Sequence, residues 1–428
     1  MNKKLWTHDF TILTLGTVVN MFGNAISGFA MGLLVLDYTN STLLYSVYLV
    51  FNNLPRVVMP LIAGPYLDRF SRKRIIYLLN FFAAGIYLAV SLLVGRGLLS
   101  YPLILAFTML VGTVDSVYSV AYDSFYPMLI SEGNFSKAYS ISSLIYPLAT
   151  TIMVPIAGVA YGTVGITPLF VFNAATFFLA ALFQTRIRAK EAHMGEAPQK
   201  GFSAGRYAED FKAGLAYLRS EKGLFTITVY FCVSTLVSGA AGALLLPFFK
   251  SHTFAVPESL SFLLRFVKTE GGLGVGIYSL VMSVATFGRL IGGAVHYRFH
   301  YPVDKKFYIA LFVYTSLCFV EGGYLYLPVA AMLILELCSG ALAVTSFNIR
   351  ISATQNYVKD EFRGRFNGIF SMVNIIGMIV GQLLAGGLSA VMQPRAIISL
   401  VYVLNLVAIY FIMYRNREHV KRIYNRQV

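Results

Sequence analysis

Charged residues are scarce in this chain: Asp, Glu, Lys and Arg make up 12% of the 428 residues. An ordinary soluble domain contains about 25%. Hydrophobic residues reach 57%, and the mean hydropathy is +0.68. This composition excludes an ordinary water-soluble protein and predicts an integral membrane protein.

Cysteine and catalytic motifs are also sparse. The three cysteines, Cys232, Cys318 and Cys338, all fall in apolar segments, which is typical of small buried side chains rather than disulfides or a metal cluster. The sequence has no nucleotide-binding P-loop and no His, Cys or acidic cluster with metal-ligand spacing. These absences disfavour an ATP-driven pump and a membrane enzyme, so we expect no cofactor, no metal and no catalytic residues.

Basic residues are in excess, with a formal net charge of +15. They occupy short loops between apolar stretches rather than one face of a soluble module, so we expect no nucleic-acid partner. With both termini inside, 26 of the 34 Lys and Arg residues lie in inner segments, five lie outside, and three fall within spans. By the positive-inside rule, this split predicts a multi-pass protein of the plasma or inner membrane with both termini cytoplasmic.

Twelve apolar stretches are each about long enough to cross a bilayer. The first, from Phe10 to about Leu36, is too long for a signal-peptide core and lacks a cleavage site, which indicates an uncleaved span. The others lie near 43–67, 75–95, 102–127, 138–162, 166–185, 224–249, 272–297, 306–327, 328–350, 366–391 and 396–414.

The longest polar interval, from Thr185 to Lys222, separates six spans from six. We therefore predict an N-terminal bundle at 1–185, a cytoplasmic linker at 186–222, and a C-terminal bundle with a cytoplasmic tail at 223–428. The linker segment RYAEDFKAGLAYLRSEK places apolar residues at helical spacing opposite charges. This pattern predicts an amphipathic helix on the inner membrane face, with a flexible linker as the alternative.

The two halves share sequence features at similar offsets. Gly64-x-x-x-Asp68-Arg69 aligns with Gly293-x-x-x-Tyr297-Arg298 at an offset of 229, and VFN aligns with VLN at an offset of 232. Parallel six-span repeats with a binding site near the membrane midplane describe one transporter architecture. We predict an all-α integral membrane fold of twelve transmembrane helices in two pseudo-symmetric six-helix bundles.

The loop GPYLDRFSRKR resembles the cytoplasmic signature Gly-x-x-x-Asp-Arg-x-x-Arg-Lys of the major facilitator superfamily, between spans two and three. The runs YPMLISEGNFSKAYSISS, KDEFRGRFNGIFS and VFNAATFFLAAL are similar to the twelve-span drug/proton antiporter branch, which includes macrolide efflux proteins, the enterobactin exporter and lysophospholipid transporters. The resemblance covers nearly the whole chain. It implies transport by alternating access.

The resemblance also implies a conformational latch between the halves. An aspartate at the inner end of one helix can accept hydrogen bonds from cations or from the N-terminus of another helix. The alternative is that the basic residues only set the topology. The predicted latch comprises Gly64, Asp68, Arg69, Arg72 and Lys73, with Arg363, Gly364 and Arg365 at the start of span eleven.

Span five contains VPIAGVA, which resembles a degenerate form of the glycine- and proline-rich element of exporters. Pro155 and Gly158 match that element, whereas Val154 and Val159 replace two of its glycines. Proline and glycine also occur in membrane helices for packing reasons alone.

Ionisable residues within the spans are candidates for coupling, because buried charges are unfavourable in a bilayer and usually face a cavity or a partner. Arg56 and Asp115 both lie about 18 Å from the inner ends of their helices, so we expect either a proton-coupling pair or a structural ion pair. Polar residues at helical spacing either bond neighbouring helices or line a path. The predicted coupling residues and cavity lining are Asn20, Asn24, Arg56, Asp115, Tyr118, Tyr122, Glu336 and Arg350.

We expect a secondary active transporter that exports a hydrophobic or amphipathic small molecule in exchange for protons. One alternative is a transporter of a lysophospholipid or a siderophore-like metabolite. Another is a non-transporting receptor or assembly factor on the same fold. The expected partners are the small-molecule substrate, protons and the lipid bilayer, and we expect a monomer.

Overall fold

The computed structural model describes residues 4–67, 70–131, 134–189, 191, 204–255, 272–298 and 302–426. Throughout these ranges the regular structure is helical. The helices form two compact units, one of Met1–Gly201 with Arg265–Ser279, and one of Phe202–Leu264 with Leu280–Val428.

In the described chain, six long helices lie wholly within the first unit, with a short 3-10 turn, Tyr126–Leu129, after the fourth. They are α1 (His8–Thr39), α2 (Thr42–Leu67), α3 (Arg72–Gly95), α4 (Tyr101–Phe125), α5 (Phe135–Val164) and α6 (Ile166–Gln184).

The second half of the chain contains eight further helices in its described part. They are α7 (Ala204–Ser220), α8 (Lys222–Ser251), α9 (Leu273–Arg298), α10 (Lys306–Gly323), α11 (Val329–Tyr357), α12 (Asp360–Leu388), α13 (Pro394–Ala408) and α14 (Arg417–Tyr424). Short 3-10 turns precede and follow α10, and a π-helical segment, Ile409–Tyr414, continues α13.

Eleven helices of the described chain are long and apolar enough to cross a membrane. Each coincides with a span that the sequence predicts. The twelfth predicted span is α2, a helix of 26 residues whose apolar character is interrupted by Asn52, Asn53 and Arg56. The predicted all-helical, multi-pass fold is confirmed.

Local signals define several helix ends. The side chain of Thr7 accepts a hydrogen bond from the backbone N–H of Phe10 at the start of α1, and Ser71 caps α3 in the same way through Arg74. Such caps satisfy backbone donors that have no partner within the helix. Gly165 separates α5 from α6 with φ +73°, a conformation that glycine adopts without steric cost.

The same pattern of neighbours occurs in both units. In the first, α1 packs on α5 and α6, and α3 packs on α4 and α6. In the second, α8 packs on α12 and α13, and α10 packs on α11 and α13. This repetition agrees with the internal duplication that the sequence offsets predict.

Glycines bring a further pair of helices together in each unit. A Cβ on Gly112 of α4 would lie 2.9 Å from the carbonyl oxygen of Asn52 in α2. In the second unit, a Cβ on Gly340 of α11 would lie closer still to the carbonyl oxygen of Ala285 in α9. Small residues permit such close approach of membrane helices, and this approach determines which polar side chains meet.

The linker helix α7 packs on protein. Leu218 is buried at 2% exposure, Phe211 and Leu215 lie against the core of the second unit, and the ring of Tyr217 stacks on Phe362 of α12 at 4.4 Å. The predicted helix is present, and these apolar residues contact α12 and its neighbours. Its position on the inner membrane face stays a prediction. Amphipathicity specifies an apolar face without specifying what covers it.

Candidate functional site

The N-terminal end of α3 carries the last residues of the signature loop, Arg72, Lys73 and Arg74. Glu191, which follows α6, accepts hydrogen bonds from the hydroxyl of Ser71 at 2.5 Å and from the backbone N–H of Arg72 at 2.7 Å. The carboxylate therefore satisfies free donors at the positive end of the α3 dipole. Sequence reasoning missed Glu191, because nothing in its local pattern indicates α3 as its partner.

The side chains of Arg72 and Lys73 bind other parts of the first unit. Arg72 donates to the backbone carbonyl of Ser124 at 3.1 Å, and Nζ of Lys73 donates to that of Ala189 at 2.9 Å. These contacts tie the start of α3 to the end of α4 and to the segment that follows α6. Two of the predicted latch cations thus have structural partners inside their own unit.

The remaining latch residues are only partly described. Gly64 lies in α2, whereas Asp68 and Arg69 lie outside the described residues. Arg363, Gly364 and Arg365 lie in the first two turns of α12 on an exposed surface, and Arg365 lies over the ring of Phe362 at 5.5 Å. The latch stays a prediction.

A buried chain of amides connects α1, α3 and α6. Asn20 donates to Asn80 at 3.2 Å, and Asn80 donates to Gln184 at 2.6 Å. Asn20 is only 3% exposed. Asn20 therefore bonds a neighbouring helix, and its predicted role as cavity lining stays a prediction.

A second polar contact lies further along α1. Asn173 of α6 donates to Ser27 at 2.6 Å and to Asn24 at 3.4 Å, and Ser27 donates to the hydroxyl of Tyr87 in α3. Asn24 is only half-buried. It keeps surface available for the predicted path while it takes part in helix packing.

Arg56 and Asp115 are brought into electrostatic range. Gly112 of α4 contacts Asn52 of α2. Because Asp115 follows Gly112 by three residues and Arg56 follows Asn52 by four, Asp115 and Arg56 lie at a similar height along the two helices. The guanidinium attracts the carboxylate, although no direct ion pair joins these two described residues within 4 Å. Arg56 is exposed and Asp115 is half-buried.

The predicted tyrosines form an aromatic ladder on α4. Tyr118 stacks on Tyr122 with ring centroids 6.0 Å apart, and Tyr122 stacks on Tyr126 at 5.1 Å. Tyr118 also faces the amide chain through Asn20 and Asn80. Both predicted tyrosines are half-buried, and their role as cavity lining stays a prediction.

In the second unit, Glu336 is one of three interacting charged residues. It is 3% exposed, and its Oε1 atom has no hydrogen-bond partner. Glu321 of α10 accepts a hydrogen bond from Ser339. Ser339 lies about one turn after Glu336 on α11. Arg289 of α9 attracts both carboxylates. Glu321 and Arg289 were not among the predicted site residues, since their grouping depends on three separate helices.

Arg350 lies among aromatic rings rather than beside an acid. Its guanidinium carbon is 4.9 Å from the ring centroid of Phe231, 5.3 Å from Phe347 and 4.8 Å from Phe370. Each ring presents its negative face to the cation. The guanidinium is half-buried, its Nε has no hydrogen-bond partner, and no described carboxylate forms an ion pair with it.

The exporter-like element lies within α5. Pro155 is inside the helix, and a Cβ on Gly158 would lie 3.4 Å from a ring carbon of Phe29 in α1. Gly158 thus has a packing role. A role of this element in export stays a prediction.

Comparisons with known proteins agree with this architecture. The family profile described as Major Facilitator Superfamily matches residues 13–352. The uncharacterized MFS-type transporter YkuC of Bacillus subtilis is 22% identical over 92% of this chain and 87% of its own length. The enterobactin exporter EntS of Shigella boydii is 24% identical over 92% of this chain and 91% of its own.

Among solved structures, the nucleoside transporter NupG is similar with a TM-score of 0.67 and 13% identity. The match covers 95% of this chain and 99% of the NupG chain. At this level of identity, the similarity concerns the fold.

Proposed function

Because this chain belongs to the Major Facilitator Superfamily, we propose that it is a proton-coupled secondary transporter that exports a hydrophobic or amphipathic small molecule by alternating access. The observation that carries the proposal is the close approach of α2 and α4 at Gly112, which brings Arg56 within electrostatic range of Asp115 inside the spans of the first unit. Ionisable residues at membrane depth are maintained where they serve ion or substrate pathways. We further propose that the protein works as a monomer in the cell membrane with both termini cytoplasmic.

Arg56 supports coupling because its guanidinium supplies a positive charge within electrostatic range of Asp115. Its positive charge favours ionised Asp115 while the two lie close together. A conformational change that separates them removes this stabilisation, so Asp115 takes up a proton in one state and releases it in the other. A purely structural interaction is the competing explanation for the same geometry.

The aromatic cage of Arg350 favours a second candidate substrate class. An arginine without an acidic partner can bind an anionic group, and the surrounding Phe231, Phe347 and Phe370 suit an aromatic or acyl neighbour. A siderophore-like metabolite or a lysophospholipid combines these properties. The similarity to an enterobactin exporter supports the same class.

Transport into proteoliposomes under an imposed pH gradient tests the proposal. The full-length protein is reconstituted with a pH-sensitive dye in the lumen, and proton flux is recorded on addition of a lysophospholipid, a siderophore or a hydrophobic dye. We expect at least one substrate class to release protons down the gradient, with protein-free liposomes as the control. Binding of a substrate without flux or accumulation would instead favour a receptor or assembly factor.

A further inference from the structure

The two units carry arginines at corresponding places. Gly112 of α4 contacts Asn52 of α2, and Arg56 lies four residues after Asn52 on α2. Gly340 of α11 meets Ala285, and Arg289 follows four residues after that contact. The repeat therefore positions one guanidinium beside the glycine crossing in each unit.

The acids around these arginines differ in number. Among the described residues of the first unit, Arg56 acts on one carboxylate, that of Asp115. In the second unit, Arg289 acts on two, those of Glu321 and Glu336. Among the residues that the structure describes, the other groups that face this acid pair are uncharged: Ser339, Tyr324, Tyr402 and Cys318. With both acids ionised, the second cluster would carry one uncompensated negative charge.

We infer that Glu321 and Glu336 form a proton-binding site that holds one exchangeable proton between them, with Arg289 neutralising the remaining charge. An unpaired charge inside a bilayer is strongly unfavourable, and two neighbouring carboxylates share a proton rather than both ionise. Ser339 bonds Glu321 and lies three residues after Glu336 on α11. Residues at this spacing are neighbours on a helix surface, about 5–6 Å apart at Cβ.

Glu336 is the residue that carries the proton. Glu321 already accepts a hydrogen bond from Ser339, as suits a carboxylate, whereas Oε1 of the buried Glu336 has no partner. An unpartnered oxygen is less unfavourable on a neutral acid than on a carboxylate. Tyr324 faces the same side chain and lies beside the outer end of α10 in the proposed topology.

The proton-binding site adds a second titratable group to the proposed transporter. Its use in transport rests on the proposed function. Glu336 lies seven residues from the start of α11 at Val329, about 10 Å along the helix. In the proposed orientation this is the outer half of the membrane, from which the site would take up protons in one conformational state. Proton binding itself requires neither a substrate nor transport.

Infrared difference spectroscopy of the purified full-length protein across a pH titration tests the site directly. A protonated carboxylic acid has a carbonyl stretch that ionised acids lack and that shifts in D2O. We expect the wild-type titration to contain one titrating carbonyl band that is missing from the titration of Glu336→Gln, while the bands of the other acids are common to both. Glu418→Gln, which alters an acid that is 71% exposed on α14, is the control and should keep the band.

A second variant keeps the test decisive if Glu336→Gln misfolds. Ser339→Ala retains both acids but removes the hydrogen bond to Glu321, so the band should remain and shift in frequency. A wild-type protein without a titrating band, or a band unchanged in both variants, would overturn the inference. If the band is present but transport is not driven by protons, the proton-binding site is supported and the proposed function is rejected. If transport is driven by protons but the band is missing, the site is rejected and the proposed function is not.

Discussion

The carboxylate of Glu191 accepts a hydrogen bond of 2.7 Å from the backbone N–H of Arg72, across 119 residues of chain. The same carboxylate binds the hydroxyl of Ser71 at 2.5 Å. One acidic residue of the linker therefore caps the helix that follows the signature loop. The contact couples the start of α3 to the end of α6.

Replacing Glu191 by Gln should destabilise the first unit by about 1–2 kcal/mol, the usual loss when a helix N-terminus loses its cap. The apparent melting temperature in detergent should fall, and Glu209→Gln on the exposed surface of α7 serves as the control. An unchanged melting temperature in Glu191→Gln would show that water replaces the cap without loss.

The latch predicts that Asp68→Asn will insert normally but transport slowly, because the substitution removes a charge that helps to close the inner side. Coupling free energies of this kind are about 1–3 kcal/mol, enough to change turnover several-fold without unfolding. The measurement compares transport rates and substrate affinity at matched expression. A wild-type rate in well-expressed Asp68→Asn would contradict the latch.

Arg56→Ala and Asp115→Asn, made singly and together, separate coupling from structure. If Asp115 carries the proton, either single change should strongly reduce transport driven by a pH gradient while the protein still inserts. If the pair is structural, the single changes should impair insertion and the double variant should restore transport. Normal gradient-driven transport in both single variants would exclude the coupling role.

Two adjacent glycines of α9 offer a matched test of helix packing. A Cβ on Gly292 would lie 2.8 Å from the backbone of Ala341, whereas a Cβ on Gly293 would meet nothing within 4 Å. Gly292→Ala should therefore destabilise the second unit by about 1–3 kcal/mol through overpacking. Gly293→Ala should be neutral or stabilising. Equal melting temperatures for the two variants would contradict the close crossing of α9 and α11.

The proposed orientation predicts the result of reporter fusions. Fusions after Arg188 and within Arg415 to Val428 should report the cytoplasm, and a fusion within Ser251 to Glu270 should report the outside. The physical reason is the concentration of Lys and Arg in the proposed inner segments. An external C-terminal tail would rule out this topology.

The sequence by itself determined the spans and the family resemblance. A bilayer core leaves no water to bond exposed backbone groups, so each long apolar run has to form a helix. The spacing of these runs divides the chain into six and six. The amphipathic pattern before Lys222 likewise predicts helix α7, although it does not distinguish a lipid surface from the residues of α12 that it contacts.

Only the tertiary structure decided which polar residues meet. Helical periodicity tells which side chains share a face, but the rotation of each helix and the neighbour it faces depend on packing at positions such as Gly112 and Gly340. The caps at Glu191 and the cluster of Arg289, Glu321 and Glu336 join residues from distant segments. Their grouping follows from close helix crossings, which no local pattern in the chain specifies.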